Sequence, residues 1–98
     1  IDSGIYVHGK FTEEFEKNLS KYLDVKNNLL LTTSSCTASL HLYYMSIGLK
    51  KSDEVIMSAQ THVATSHAVE ICGAKSVFID CELTTGNIDI NKIEKKNK

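Results

Sequence analysis

The sequence contains no arginine, and all eleven of its positive charges are lysines. The net charge is −1 at pH 7, and the single basic run, 92–98, is interrupted by Glu94. A protein that binds nucleic acid through its phosphates carries a continuous stripe of positive charge. We therefore expect no nucleic-acid partner, and we interpret the basic run as a solvated helix face.

Long hydrophobic runs are also missing. No apolar stretch approaches the ~20 residues that a membrane-spanning helix needs. The first ten residues include Asp2, His8 and Lys10 and lack the apolar segment of a signal peptide. We therefore expect no membrane partner and a cytoplasmic location. The first residue is isoleucine rather than methionine, so we also expect the chain to be a fragment of a longer protein.

Cysteine is scarce: the three cysteines, Cys36, Cys72 and Cys81, form no C-x-x-C pair. An odd number at wide spacing argues against a disulfide framework and favours a reducing compartment. His62 and His67 are five residues apart, so they do not share a helical face as the two histidines of a zinc-binding helix do. We therefore expect no metal site.

The remaining composition is that of one small globular domain, with 42% hydrophobic and 23% charged residues among 98. Short apolar runs alternate with longer segments of helical periodicity. The short runs predict three buried strands, at 28–33, 54–58 and 76–80. The longer segments predict three helices: one with Thr12 as its N-cap, one over 37–49 that stops at Gly48, and one over 61–72 that stops at Gly73.

This alternation predicts an α/β fold with a parallel βαβαβ sheet and right-handed crossovers. Parallel strands need cover on both faces, which one helix and two crossovers barely supply. The helix over 37–49 is apolar on two sides, which is typical of a helix that is buried or covered by a partner subunit. Both features indicate that the chain is an incomplete part of a larger domain.

Two turns hold the residues that are best suited to bind a ligand. The first is the sequence Ser34, Ser35, Cys36, Thr37 and Ala38, between the first predicted strand and its helix. Backbone N–H groups at a helix N-terminus attract phosphate. Ordinary capping by Ser or Thr is the alternative, and on these residues alone it is the commoner use.

The second turn, 60–62, follows the second predicted strand. Ligands of open α/β sheets bind beyond the carboxyl ends of the strands. We therefore expect both turns, together with Asp80 at the end of the third strand, at one edge of the sheet. The imidazole of His62 could stack there on a flat ring, and a capping residue in contact with water is the alternative.

Three stretches, in this order, resemble the DegT/DnrJ/EryC1/StrS family of sugar aminotransferases, which depend on pyridoxal 5'-phosphate (PLP). HGKFTEEFEKNLSKYL is similar to the family's opening helix, and TTSSCTASLHLYYMSIGLKKSDEVI is similar to its SGTxAL…GDEVI segment. QTHVATSHAVEICGAKSVFIDCELTTGNIDINKIE is similar to the segment that reads TfvATa…GakpvfvDid…niD. Together these stretches cover almost the whole chain.

The resemblance implies the fold type I architecture, with residues 1–98 as the N-terminal part of the large PLP-binding domain. It implies that Thr37 and Ala38 hold the cofactor phosphate and that the ring of His62 stacks on the pyridine ring. Two positions depart from the family pattern. Cys36 stands where the family usually has glycine, and His62 stands where it more often has a larger aromatic residue.

For the whole enzyme, the resemblance implies transfer of an amino group from an amino acid, commonly glutamate, to a nucleotide-linked ketosugar for envelope polysaccharide or related sugar biosynthesis. It also implies a homodimer. The family's Schiff-base lysine lies beyond the end of this chain, so we expect no catalytic residue here and no activity of the isolated chain. A sugar dehydratase of the same family and a non-catalytic truncated product are the alternatives.

Overall fold

A computed structural model of the chain describes residue 4 and residues 9–93. The chain divides into two compact units, 1–34 and 35–98, and each is described by itself. Of the basic run at 92–98, only the first lysine, Lys92, belongs to the described residues, so the helix face predicted for this run lies outside them.

The first unit contains helix α1, Lys10–Tyr22. It begins two residues before the predicted N-cap, Thr12. The carbonyl of Gly9 already accepts the amides of Thr12 at 2.9 Å and Glu13 at 3.3 Å, which closes the first turn. The prediction of Thr12 as the cap is therefore wrong. Gly9 is the N-cap, and no side chain completes it.

The strand predicted at 28–33 is not formed. Asn27–Leu29 is a 3₁₀ turn, and the chain after it has no regular structure. The amide and the hydroxyl of Thr32 both donate to Oε1 of Glu16 in α1, at 2.8 and 2.7 Å. A carboxylate, rather than a neighbouring strand, thus satisfies this backbone donor. The run is not buried either, since Leu31 is 62% exposed.

The second unit contains α2 (Cys36–Ser46), β1 (Glu54–Ser58), α3 (Val63–Ile71), β2 (Lys75–Ile79) and a 3₁₀ turn (Ile90–Lys92). β1 and β2 pair in parallel, in register from Glu54 opposite Lys75 to Ser58 opposite Ile79. The α/β class and the parallel pairing are confirmed, and β1 has its predicted bounds. Because 28–33 is not a strand, the described part of the predicted βαβαβ sheet is a single βαβ unit.

Glycine ends both helices of this unit. Gly48 and Gly73 have φ angles of +73° and +81°, a region that other residues enter only with strain. After α2, the N–H of Gly48 donates to the carbonyl of Met45 and the N–H of Leu49 to that of Tyr44, both at 3.0 Å. This is the Schellman arrangement. Both predicted helix stops are confirmed.

The core of the second unit lies on one face of the sheet. Met57 of β1, Val69 of α3 and Ala74 form a buried cluster, and Tyr44 and Leu49 of the α2 segment pack against it. Val69 is fully buried. The crossover helix is therefore held to the sheet by a small number of apolar contacts.

The other faces of this unit are less covered. Ile56, which alternates with the core position Met57 along β1, is 41% exposed. Helix α2 has no buried residue, and Tyr43 and Met45 are 58% and 59% exposed. The side of α2 that was expected to meet a second partner is thus open in the described chain.

We expect Met57→Ala to lower the free energy of unfolding by about 2 kcal/mol or more, because truncating a buried methionine removes packing contacts and leaves a cavity. Met45→Ala deletes the same atoms from an exposed side chain, so its effect should stay within about 0.5 kcal/mol. Urea unfolding followed by circular dichroism measures both values. Equal losses in the two variants would contradict the assigned core.

Candidate functional site

Helices α2 and α3 pack side by side in the second unit. His41 and Met45, at the middle and near the end of α2, share a groove of about 450 Å³ with Ile71 and Cys72 at the end of α3. The carboxyl-terminal parts of the two helices therefore lie close together. Since α3 starts directly after the turn that follows β1, its N-terminus lies at the carboxyl edge of the sheet. His62 is therefore at the predicted edge, and a common direction of the two helices would bring Thr37 to the same edge.

The N-terminus of α2 is capped by Ser35. Its Oγ accepts the amide of Ala38 at 3.1 Å, and its carbonyl accepts the amide of Ser39 at 3.1 Å. Ser35 therefore acts as an ordinary helix N-cap, which was the alternative interpretation of this turn. The amides of Cys36 and Thr37 precede the first intrahelical bond, so they point out of the helix end with its partial positive charge.

The N-terminus of α3 is capped by the side chain of His62. Its Nδ1 accepts the amide of Ala64 at 3.1 Å, and its carbonyl accepts the amide of Thr65 at 3.0 Å. An accepting Nδ1 places the proton of the neutral ring on Nε2. One ring nitrogen is thus engaged with the helix. The imidazole is exposed, so its flat face remains accessible.

A depression of about 660 Å³ opens beside this turn. It is lined by residues after β1 and after β2: Ala59, Gln60, Asp80, Cys81, Glu82, Leu83 and Gly86. The hydroxyl of Ser58, the last residue of β1, lies 3.0 Å from Sγ of Cys81. Gly86 faces the carboxamide of Gln60 so closely that a Cβ on Gly86 would lie 3.4 Å from Oε1. The depression is thus a second feature of the carboxyl edge, adjacent in sequence to His62.

Asp80 follows β2 directly and lies at the predicted edge, but its carboxylate is already engaged. Oδ2 accepts Nζ of Lys92 at 2.7 Å, and Oδ1 accepts the amide of Cys81 at 2.9 Å. The hydrogen bond from Lys92, with the Cys81 amide, holds the pKa of Asp80 below its usual value, and the same bond raises the pKa of Lys92. Sequence reasoning placed Lys92 only in a basic run, since nothing in the twelve-residue spacing signals this pair.

The described residues hold three free cysteine thiols and no group of three or more His, Cys, Asp or Glu side chains that could bind a metal ion. Within the same residues, no helix combines the length and the apolar character needed to cross a membrane.

The sequence matches the DegT/DnrJ/EryC1/StrS aminotransferase family over residues 1–97. It is 36% identical over 86 residues to GDP-perosamine synthase of Caulobacter vibrioides, a match that covers 88% of this chain and 23% of that protein. It is 41% identical over 90 residues to UDP-4-amino-4,6-dideoxy-N-acetyl-beta-L-altrosamine transaminase of Campylobacter jejuni, covering 92% and 23%. The chain therefore spans about a quarter of the length of the curated relatives it matches.

Solved structures show the same relationship. A DegT DnrJ EryC1 StrS aminotransferase from Brucella abortus matches with a TM-score of 0.81 and 29% identity, over 95% of this chain and 24% of that one. Spr1654 from Streptococcus pneumoniae, described as a sugar aminotransferase in its PLP form, matches with a TM-score of 0.76 and 28% identity, over 94% and 23%. These likenesses confirm the predicted fold class.

We expect Ser35→Ala to lower the free energy of unfolding by about 1 kcal/mol, because it removes the oxygen that accepts the Ala38 amide. Ser35→Asp keeps an acceptor and should retain most of the stability. Ser34→Ala is the matched control, an adjacent exposed serine outside the cap. Chemical unfolding of the three variants measures the difference. A loss in Ser34→Ala as large as that in Ser35→Ala would contradict the cap.

Proposed function

The chain belongs to the DegT/DnrJ/EryC1/StrS aminotransferase family, and on that premise we propose that residues 1–98 are the N-terminal part of the large PLP-binding domain of a sugar aminotransferase. PLP is the cofactor of this family. The observation that carries the proposal is that α2 and α3 pack with their carboxyl-terminal parts together, which supports one shared edge for their N-termini at Thr37 and His62. A phosphate group and a flat ring are the two chemical features that such an edge suits.

Thr37 and Ala38 would hold the cofactor phosphate. The donor set fits a dianion, since it combines the positive end of α2 with backbone amides and the hydroxyl of Thr37. Ser35 already occupies the amide of Ala38, so the phosphate would share or replace that bond. Cys36, which stands at the family's usual glycine position, has no positive φ angle and therefore needs no glycine-like backbone.

His62 would stack on the pyridine ring. Its bond to the Ala64 amide fixes the imidazole at the start of α3, and its exposure leaves a ring face open. Bound PLP supplies the electron sink through which an amino group is moved between donor and acceptor. The residues of this chain would bind and orient the cofactor, and none of them is assigned a catalytic role.

We propose a nucleotide-linked ketosugar and an amino-acid donor as the substrates of the whole enzyme. The names of the GDP-perosamine synthase and UDP-altrosamine transaminase relatives support a sugar nucleotide. The name of a Bacillus subtilis relative, 3-oxo-glucose-6-phosphate:glutamate aminotransferase, supports glutamate as the donor. SpsC of the same organism is named for spore coat polysaccharide biosynthesis, which supports a role in envelope polysaccharide or related sugar biosynthesis.

The proposed enzyme is a cytoplasmic homodimer. The exposed apolar side chains of α2 support the dimer, since Leu42, Tyr43 and Met45 are 45%, 58% and 59% exposed. Exposed apolar surface of this kind is typical of a face that another protein surface covers.

We expect PLP to shift the backbone amide resonances of Thr37 and Ala38 in the ¹⁵N-labelled chain, because its phosphate would meet the end of α2. Pyridoxal, which lacks the phosphate, should leave these two amides nearly unchanged while both compounds shift those around His62. Thr37→Val removes one hydroxyl and should weaken PLP binding several-fold. Thr84→Val removes an exposed hydroxyl from the turn after β2 and is the control. Equal shifts of the Thr37 and Ala38 amides with pyridoxal and with PLP would argue against the phosphate site.

We also expect the isolated chain to form no specific covalent bond with PLP, because the family resemblance implies that the Schiff-base lysine is not among its eleven lysines. The chain is mixed with PLP, treated with borohydride, dialysed and digested for mass spectrometry. Only scattered, substoichiometric labelling of surface lysines is expected. Stoichiometric labelling of a single lysine would overturn the assignment of this chain as non-catalytic.

A further inference from the structure

The segment after β2 folds back on itself as a short hairpin, residues 81–89, which we call the strap. Cys81 and Ile88 form an antiparallel bridge. The amide of Glu82 donates to the carbonyl of Asn87, and the amide of Asp89 donates to that of Asp80, both at 2.9 Å. The two ends of the strap are therefore side by side at the carboxyl edge of the sheet.

One cation joins both ends of the strap. Nζ of Lys92 lies 2.7 Å from Oδ2 of Asp80, just before the strap, and 3.7 Å from Oδ2 of Asp89, at its last residue. Asp89 also caps the 3₁₀ turn that contains Lys92, since its Oδ1 accepts the amide of Asn91 at 3.1 Å. The turn thus presents the lysine to both carboxylates, and the lowered pKa of Asp80 reflects the same pairing.

The strap contacts the end of β1. Sγ of Cys81 lies 3.0 Å from Oγ of Ser58, and Cys81 is only partly exposed. Gly86 meets the carboxamide of Gln60. Cys81, Gln60 and Gly86 line the same depression, so the strap forms one wall of it and the turn that leads to His62 forms another.

We propose that Lys92 acts as a latch that ties the two ends of the strap together, and that release of this latch lets the strap move away from the carboxyl end of β1, which opens the depression beside His62 and exposes Cys81. The backbone bonds of the hairpin, including the one from the Asp89 amide to the Asp80 carbonyl, keep the strap folded, and the ion pairs of Lys92 add a second tie between its ends. Because the side chains of Lys92 and Asp80 are 44% and 72% exposed, this ion pair is weak and reversible, as a movable wall requires.

Alkylation of Cys81 by iodoacetamide, followed by peptide mass spectrometry, reports how often the strap opens. We expect Lys92→Met to raise the Cys81 rate by about two- to fivefold, the range that an exposed ion pair gives. Cys36, which is exposed on α2, is the internal reference and should not change. Lys92→Arg keeps the charge and should react like the wild-type chain.

Lys75→Met is the matched control, since it breaks the 2.6 Å ion pair with Glu54 at the opposite edge of the sheet. It should leave the Cys81 rate unchanged. If Lys92→Met does not change the ratio of Cys81 to Cys36 labelling, or if Lys75→Met raises it equally, the latch is refuted.

Labelling of the wild-type chain at low and high salt requires no substitution. High salt screens the ion pair of Lys92, so it should raise the ratio of Cys81 to Cys36 labelling. A ratio that does not depend on salt would also refute the proposal.

Discussion

The parallel pairing of β1 with β2 is the constraint on which the described site depends. Two parallel strands cannot be joined by a tight turn, so the chain must cross over one face of the sheet, and α3 is that crossover. Burial of Val69 against Met57 and Ala74 holds the helix in place. The crossover brings the end of β1, the start of α3 and the end of β2 to one edge, where His62, Gln60 and Asp80 are found.

Local hydrogen bonds then decide how this edge is presented. Each helix N-terminus leaves backbone amides without intrahelical partners, and a side chain meets one of them in each case, Ser35 in α2 and His62 in α3. Capping and ligand binding use the same positive end of a helix, so the two interpretations of these turns are compatible. A cap fixes the geometry of the turn, and the amides it does not use, such as that of Thr37, are the ones available to an anion.

The sequence was most informative where structure depends on neighbouring residues. The bounds of β1 and the stops at Gly48 and Gly73 follow from a short apolar run and from glycines that adopt a positive φ. The strand expected at 28–33 is not formed, and Thr32 instead donates to Glu16, a contact across sixteen residues that the local sequence does not signal. The pair of Asp80 with Lys92 was missed for the same reason. The roles of Thr37, Ala38 and His62 came only from the family resemblance, because capping alone accounts for both turns physically.

The claim that the N-termini of α2 and α3 share one edge is tested most directly by a nitroxide spin label on Cys36, with Cys72 and Cys81 replaced by serine. Helix α3 has nine residues and is about 13 Å long, so its two ends are well separated. If the helices run in the same direction, the label should broaden the amide signals of residues 62–64 much more than those of residues 71–73. Stronger broadening at 71–73 would show that the helices run in opposite directions, and the candidate site would then not exist as described.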